Sequence, residues 1–455
     1  VDSVRISLTP GDIVRSDLAW GMGPFSVGRG AEELSERGFT LRAPTSAANA
    51  FRVLRAMQLS KPILLEGSPG VGKTSLVMAI ARAAGHKICR LNLAEQTDVI
   101  DLFGSDLPVE GSVGEFAWRN GPLLQALEEG SWIVLDELNL ASQSVLEGLN
   151  ACLDHRGEIY VPELNRTFKA PPSGFRVFAC QNPLHEGGGR KGLPKSFLNR
   201  FTRVYADALD SADYQLIMQE TFPAIPESTL ANMIEFNERL VREIFKERRF
   251  GYGCGDINLR DLFRWCQLLT TFGNPDIDPS FGVDIVYSLR MRRPDDQANI
   301  SRVFRAVFGQ DAPTFATRAA FTITSSAVFV GRASIERRRG LHEEAVDRTL
   351  TCAGTEMSFL EAAFHAVNLR WVALLVGPAS SGKSALVQLA ATMSGNKLLT
   401  FSMNSSVDTM ELLGGFEQID VARDRRRTLD MISSLVNDAT EHLLIRGRGA
   451  SAGTM

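Results

Sequence analysis

Three polar clusters, each following a short apolar run, carry the chemistry available to this chain of 455 residues. The first is Gly67, Ser68, Pro69, Gly70, Val71, Gly72, Lys73 and Thr74, which fits GxxxxGK[ST]. It follows the apolar run Ile63–Leu65 and precedes the helical spacing of Leu76, Val77, Ile80 and Ala81. Glycines there let successive backbone N–H groups curve around a phosphate at a helix N-terminus, where the helix dipole adds attraction. Lys73 can reach β- and γ-phosphates, and Thr74 can offer its hydroxyl to Mg²⁺. The second cluster closes Trp132-Ile-Val-Leu with Asp136 and Glu137, 63 residues after Lys73. Asp136 can hold Mg²⁺ through water and Glu137 can polarise an attacking water; the same pair could also merely cap a helix. In the third, Phe178-Ala-Cys-Gln leads to Asn182 and Pro183. Asn182 can hydrogen-bond a γ-phosphate or the attacking water while opening a turn. Arg200, at a helix end beyond that strand, is a candidate arginine finger or a surface cation. Arg260, at the start of an apolar helix, could lean toward phosphates or pair with Asp256.

These side chains need a parallel sheet with helices behind it, and the chain holds the start of two. Pro62-Ile-Leu-Leu-Glu-Gly recurs as Val372-Ala-Leu-Leu-Val-Gly, and Lys73 maps to Lys383, an offset of 310. At that offset Gly85 meets Gly395, Asp98 meets Asp408 and Gly104 meets Gly414. Gly377, Gly382, Lys383 and Ser384 thus form a second phosphate loop. Short apolar runs alternating with helical patterns make 41–209 an α/β core. Helical spacing at Leu230, Met233, Ile234, Phe236 and Leu240, and again at Leu259, Leu262, Phe263 and Cys266, makes 210–309 a helical lid. Residues 1–40, with Gly21, Gly23, Gly28 and Gly30, read as a linker or the end of a preceding module, and 310–355 as a connection. Residues 356–455 read as a truncated second core, because no apolar strand ending in Asp-Glu follows the second loop. Its apolar Leu374, Leu375 and Leu386 are then expected to lie uncovered. The expected behaviour beyond about residue 355 is local disorder or aggregation, with weak or no nucleotide binding at Lys383. Arg423-Asp-Arg-Arg-Arg and the apolar positions after it read as a solvated surface.

Composition narrows the function classes. Lys and Arg number 49 against 53 Asp and Glu, a net charge of -4, so no global basic field points to nucleic acid. No run of 18 apolar residues offers a membrane span. The six cysteines lie far apart without a CxxC, against a zinc site or disulfide framework and for a reducing compartment. The chain opens on Val1 without a signal peptide and reads as a fragment of something longer.

Phosphate loop, Asp-Glu strand, Asn strand, trailing arginine and helical lid together resemble the AAA+ ATPases. Several segments narrow the resemblance to the midasin family within them. They are Phe39-Thr-Leu-Arg-Ala-Pro-Thr, Asn92-Leu-Ala-Glu-Gln-Thr-Asp, Asp101-Leu-Phe-Gly, Leu138-Asn-Leu-Ala-Ser-Gln, Leu153-Asp-His-Arg and Gly187-Gly-Gly-Arg-Lys-Gly-Leu-Pro-Lys-Ser-Phe-Leu-Asn-Arg-Phe. The resemblance implies a P-loop NTPase core, a parallel sheet flanked by helices, then a helical lid and the truncated second core. It makes Gly67–Thr74 the Walker A loop, Asp136 and Glu137 the Walker B pair, and Asn182 sensor 1. Arg200 becomes a finger acting in trans and Arg260 sensor 2. The segment from Glu158 to Phe168, a β-hairpin with Asn165 at its tip, becomes the pre-sensor-1 hairpin. Further implications are ATP and Mg²⁺ as cofactors, neighbouring AAA+ modules of one polypeptide as partners, and remodelling of precursors of the large ribosomal subunit in the nucleus. Contact with those particles and their assembly factors would run through parts absent here, with no membrane and no direct sequence-specific nucleic acid. The alternatives are a nucleotide-binding scaffold with little turnover and a single-module MoxR or chelatase ATPase; the repeat weighs against the latter.

Overall fold

The computed structural model describes residues 13–35, 38–109, 116–153, 157–171, 174–183, 191–245, 257–272, 278–311, 321–324, 326–337, 357–404, 407, 414 and 421–451. They divide into two compact units, one comprising 1–238 with 257–263 and the other 239–256 with 264–455.

The first unit opens with an antiparallel meander of β1 (Ile13–Arg15), β2 (Ala19–Met22) and β3 (Phe25–Gly28). Helix α1 (Pro44–Ala56) follows, then β4 (Ile63–Glu66), α2 (Lys73–Ala84) and β5 (Ile88–Asn92). After the short α3 (Val99–Phe103), β6 (Gly104–Pro108) and β7 (Phe116–Asn120) pair as a side hairpin. Next come α4 (Pro122–Glu129), β8 (Trp132–Asp136), α5 (Gln143–Cys152) and the antiparallel pair β9 (Glu158–Val161) and β10 (Arg166–Lys169). The chain then forms β11 (Arg176–Gln181), α6 (Lys195–Leu198), β12 (Thr202–Tyr205), α7 (Ser211–Thr221) and α8 (Glu227–Phe245). The main sheet is wholly parallel in the order β12-β4-β11-β8-β5.

Strand β8 is buried at all five positions, as a central parallel strand covered on both faces must be. Alternate residues feed opposite cores. Leu64, Ile133, Leu135, Val177 and Ala179 pack with α4 and α5, whereas Ile63, Leu65, Trp132, Val134, Phe178 and Cys180 pack with α1 and α2. By the same two-residue alternation, Asp136 and Asn182 continue the rows that face α2, the helix that carries Lys73 and Thr74.

Residues 13–28 are not a loose linker. Trp20 and Met22, two apart on β2, are buried in the α1/α2 core beside Ala47, Val53 and Ile80. Trp20→Ala is expected to cost about 3–5 kcal/mol of stability in the first unit. A linker role would leave its melting temperature unmoved.

In the second unit, α9 (Leu259–Phe272) continues past its first turn and is followed by α10 (Val283–Val286) and α11 (Pro294–Phe308). The buried indole of Trp265 donates to the carbonyls of Pro279 (3.1 Å) and Phe281 (3.0 Å), fastening this turn to α9. The stretch expected to be a connection holds a second meander: β13 (Phe321–Ile323), β14 (Ala327–Val330) and β15 (Ala333–Glu336). Each strand begins 308 positions after its counterpart: 13 to 321, 19 to 327, 25 to 333. Val328 and Val330 are buried as Trp20 and Met22 are, here against Leu360 and Phe364 of α12 (Met357–Asn368) and Leu386 and Met393 of α13 (Lys383–Ser394). Each module therefore starts with a meander, and the domain boundaries at 40 and 355 move accordingly.

The expected uncovered surface of the second copy is present. Residues 372–376 and 397–403 form no strand, and Val372, Leu374, Val376, Leu399 and Phe401 are exposed. Leu386, expected among the uncovered residues, is instead buried against β14, and Leu375 packs partly there too. At the offset of 310, the place of β7, α4 and β8 is taken by α14 (Val421–Ser451), a helix whose Leu429, Ile432, Leu435 and Val436 are exposed. Asp408 lies outside the described residues.

His365 on α12 is fully buried, edge-on to Phe272 (ring centroids 4.7 Å apart) and Phe281 (5.5 Å), and neither ring nitrogen finds a hydrogen-bond partner among the described residues. Burial pushes its pKa down to about 4. The unfolded chain, with an ordinary histidine near 6.5, then binds the extra proton, so stability present above pH 6.5 is lost as pH falls toward 4. The residue should account for up to about 3 kcal/mol of that loss. His365→Phe should flatten the pH dependence of unfolding in this window; an unchanged slope would show that the ring is not held neutral.

Candidate active site

The site sits at the carboxyl ends of β4, β11 and β8, adjacent in the sheet. The loop after β4 turns through Gly70 (φ +87°) and Gly72 (φ +81°), a left-handed backbone that side chains resist. It delivers Lys73 and Thr74 to the first turn of α2, which has no side-chain N-cap, so its leading N–H groups are left for an anion. The Cβ of Asn258, just before α9, would lie 3.5 Å from a Cβ at Gly70, and the Phe39 ring 3.7 Å from one at Gly72. Gly67, Ser68, Pro69 and Val71 complete the loop.

Lys73 is buried, and its Nζ donates to Gly67 O (2.6 Å), Ser68 O (2.9 Å) and Asn182 Oδ1 (2.7 Å). Asn182 Nδ2 in turn donates to Glu137 Oε1 at 2.7 Å. The amide thus stands between the ammonium and the carboxylate with its oxygen toward one and its nitrogen toward the other, the orientation the two charges require. Asn139 Nδ2 donates to Asn182 O at 2.9 Å, fixing the backbone from behind. Thr74 Oγ1 donates to Asp136 Oδ2 at 3.0 Å. Glu137 has left-handed backbone (φ +55°), which turns the chain sharply off the end of β8, and its own N–H donates to Asp136 Oδ1 (3.2 Å). Such strain in a non-glycine residue is characteristic of functional positions. Cys180, on the same row, is inert: burial pushes its thiol up to about 12.

The residues fit a nucleoside triphosphate with Mg²⁺. The glycine cradle and uncapped helix suit phosphate oxygens. Lys73 can exchange its loop carbonyls for them, and the Thr74–Asp136 pair offers the hydroxyl and carboxylate a magnesium ion takes.

The other expected residues stand further out. Arg200, in the turn after α6, donates from Nη1 to Asn150 O at 2.9 Å, near the end of α5. Arg260 lies exposed in the first turn of α9, its backbone N–H bonded to Asn258 Oδ1 (2.9 Å); Asp256 is outside the described residues. The hairpin β9–β10 is present, with Asn165 left-handed (φ +46°) at its tip. Residues 184–190 and 154–156, which include parts of two motifs, are outside the described residues. In the second copy, Gly382 is left-handed (φ +78°) and Lys383 Nζ folds back on Gly377 O (3.0 Å) and Pro378 O (2.5 Å), while Ser384 is exposed. Among the described residues, the loop has the shape without the neighbours that surround Lys73.

Sequence reasoning missed three contributors: Asn139, Phe39 as a wall beside Gly72, and Arg90. The last, on β5, donates from Nη2 (2.6 Å) and Nε (3.1 Å) to Asp136 Oδ2. A cavity of about 930 Å³ lies at the opposite end of the sheet, among Lys87, Trp132, Lys169 and Arg176. Lys87 is paired there with Glu129 and Lys169 with Glu158, and none of the phosphate-loop residues reaches it.

Residues 62–201 match the AAA domain of the dynein-related subfamily, and residues 213–311 the midasin AAA lid domain. Midasin of Dictyostelium discoideum is 43% identical over 97% of this chain, and midasin of Giardia intestinalis 38% identical over 86%. The chain spans about 8% of the length of either relative. An uncharacterised protein of Staphylococcus aureus is 28% identical over half of the chain, which covers 84% of that protein. A dynein-related AAA domain followed by a lid of the midasin type, with two midasins alike along nearly the whole chain, leads to one conclusion: this chain belongs to the midasin family of AAA+ ATPases.

Proposed function

We propose that this chain is a segment of an ATP-driven ring in which the first module binds ATP with Mg²⁺ and hydrolyses it. The ring would use that energy to remodel precursors of the large ribosomal subunit in the nucleus and to release assembly factors from them. The bridge Lys73–Asn182–Glu137 carries the catalytic reading. It couples the cation that holds phosphate to the carboxylate that activates water through one amide, so nucleotide entry at Lys73 is felt at Glu137. When Lys73 turns to phosphate oxygens, Asn182 Oδ1 is released. Its amide can then orient the attacking water together with Glu137, which takes the proton. Thr74 and Asp136 would hold Mg²⁺, which would supply neutralisation of phosphate charge. Arg200 is assigned to the site of an adjacent module and Arg260 to the lid side of the nucleotide. Neighbouring modules of the same polypeptide are the direct partners, and the contacts with ribosomal precursors belong to other regions of a midasin.

Lys73→Ala should weaken ATP binding by about 2–3 kcal/mol, the order of a lost charged hydrogen bond, read by calorimetry. Unchanged affinity would reject the site. For the cellular role, the same substitution in the full-length polypeptide should make large-subunit precursors accumulate in sedimentation profiles; normal profiles would reject it.

A further inference from the structure

We propose that Arg90 is a positioning residue for the metal of the Lys73 site. It holds the Asp136 carboxylate while no Mg²⁺ is bound and yields that oxygen when Mg²⁺ arrives, thereby setting the Mg²⁺ concentration at which the site loads. This inference rests on the ATP and Mg²⁺ reading above.

The placement follows from sheet register. Arg90 of β5 stands opposite Val134 of β8, so its side chain rises on the row that leads two residues on to Asp136. Both Nε (3.1 Å) and Nη2 (2.6 Å) bond one oxygen, Oδ2, which also accepts the Thr74 hydroxyl at 3.0 Å. Oδ1 meanwhile accepts the Glu137 N–H at 3.2 Å. The carboxylate a metal shell would use is thus already engaged by three donor groups, one of them a full positive charge.

The partners are unequal. The Asp136 side chain is 12% exposed and that of Arg90 52%. The carboxylate is therefore fixed by its surroundings, while the guanidinium can swing into water at little cost. Thr74 and Glu137 do not have to move, because a hydroxyl donating to Asp136 still has lone pairs for a cation. A hydrated divalent ion arriving beside Thr74 competes with Arg90 for Oδ2 and is repelled by it. Arg90 is then a built-in counter-ion that the metal displaces.

The test is the affinity of the 455-residue chain for a non-hydrolysable ATP analogue, measured across free Mg²⁺ from EDTA to millimolar. Arg90→Gln should move the Mg²⁺ midpoint about three- to tenfold lower, and Arg90→Lys, which keeps the charge, should stay within about twofold of the parent. The difference should shrink in high salt, where exposed charges are screened. If Arg90→Gln lowers the melting temperature, Arg90→Met, which keeps the aliphatic stem, should show the same downward shift. A purely structural role would loosen metal binding instead, so a midpoint unchanged or raised in these variants overturns the proposal. Failure of the parent chain to bind the analogue at any Mg²⁺ would overturn the functional reading itself. Binding with an unmoved midpoint would overturn only the role of Arg90.

Discussion

The 455-residue chain is expected to bind ATP with Mg²⁺ yet hydrolyse it about 10³–10⁵ times more slowly than an assembled ring, and Arg200→Ala should leave that residual rate unchanged. Lys73, Thr74, Asp136, Glu137 and Asn182 form one bonded group, while the Arg200 guanidinium is tucked against the carbonyl of Asn150 beyond α6. In AAA+ rings a finger serves the nucleotide of an adjacent module. At the offset of 310, the counterpart of Arg200 for the Lys73 site would fall near position 510, outside these residues. On the proposed role of Arg200, a site tested without that counterpart should forgo roughly 4–7 kcal/mol of barrier lowering at about 1.4 kcal/mol per tenfold. Robust turnover by the monomer that collapses in Arg200→Ala would show the arginine acting in cis, and the ring-segment reading would fall.

Glu137→Gln should bind ATP as the parent does, within about threefold, and lower turnover by about 10²–10⁴ in a single-turnover assay. Binding survives because a glutamine Oε1 can still accept from Asn182 Nδ2, so the bridge to Lys73 persists. What is lost is the ability to take a proton from water. Equal rates in parent and variant would mean that another group is the base.

The chemistry of the first module was legible because it is local. Gly67–Thr74 announces its loop by composition, and Asp136 and Asn182 each close an apolar run that the structure makes a buried strand. Arg90 was not legible, since 46 residues separate it from Asp136 and only the pairing of β5 with β8 joins them. Asn182 was expected on phosphate or water, whereas the described state has it bridging two charges, a detail that depends on both side chains sharing the α2 face. The meanders escaped because their strands are three or four residues long. The first is set among glycines and buries Trp20, Gly21 and Met22 in a row on β2, with no alternation to register. Once both are seen, the repeat reaches further toward the N-terminus than the matching motifs suggested.

The strand order β12-β4-β11-β8-β5 also bears on how such a module is made. Of the strands in this sheet, β4 and β5 emerge first from the ribosome, but they are not neighbours and do not pair with each other. Strand β4, residues 63–66, must wait for β11, residues 176–181, some 110 residues later. At about 5–20 residues per second that is roughly 5–20 s of synthesis with an unpaired apolar strand. Non-local parallel pairing of this kind is slow and exposes the growing chain to aggregation. A polypeptide of many such modules would pass through this interval once per module. The uncovered Val372–Val376 and Leu399–Phe401 show the surface that a chaperone would have to shield each time.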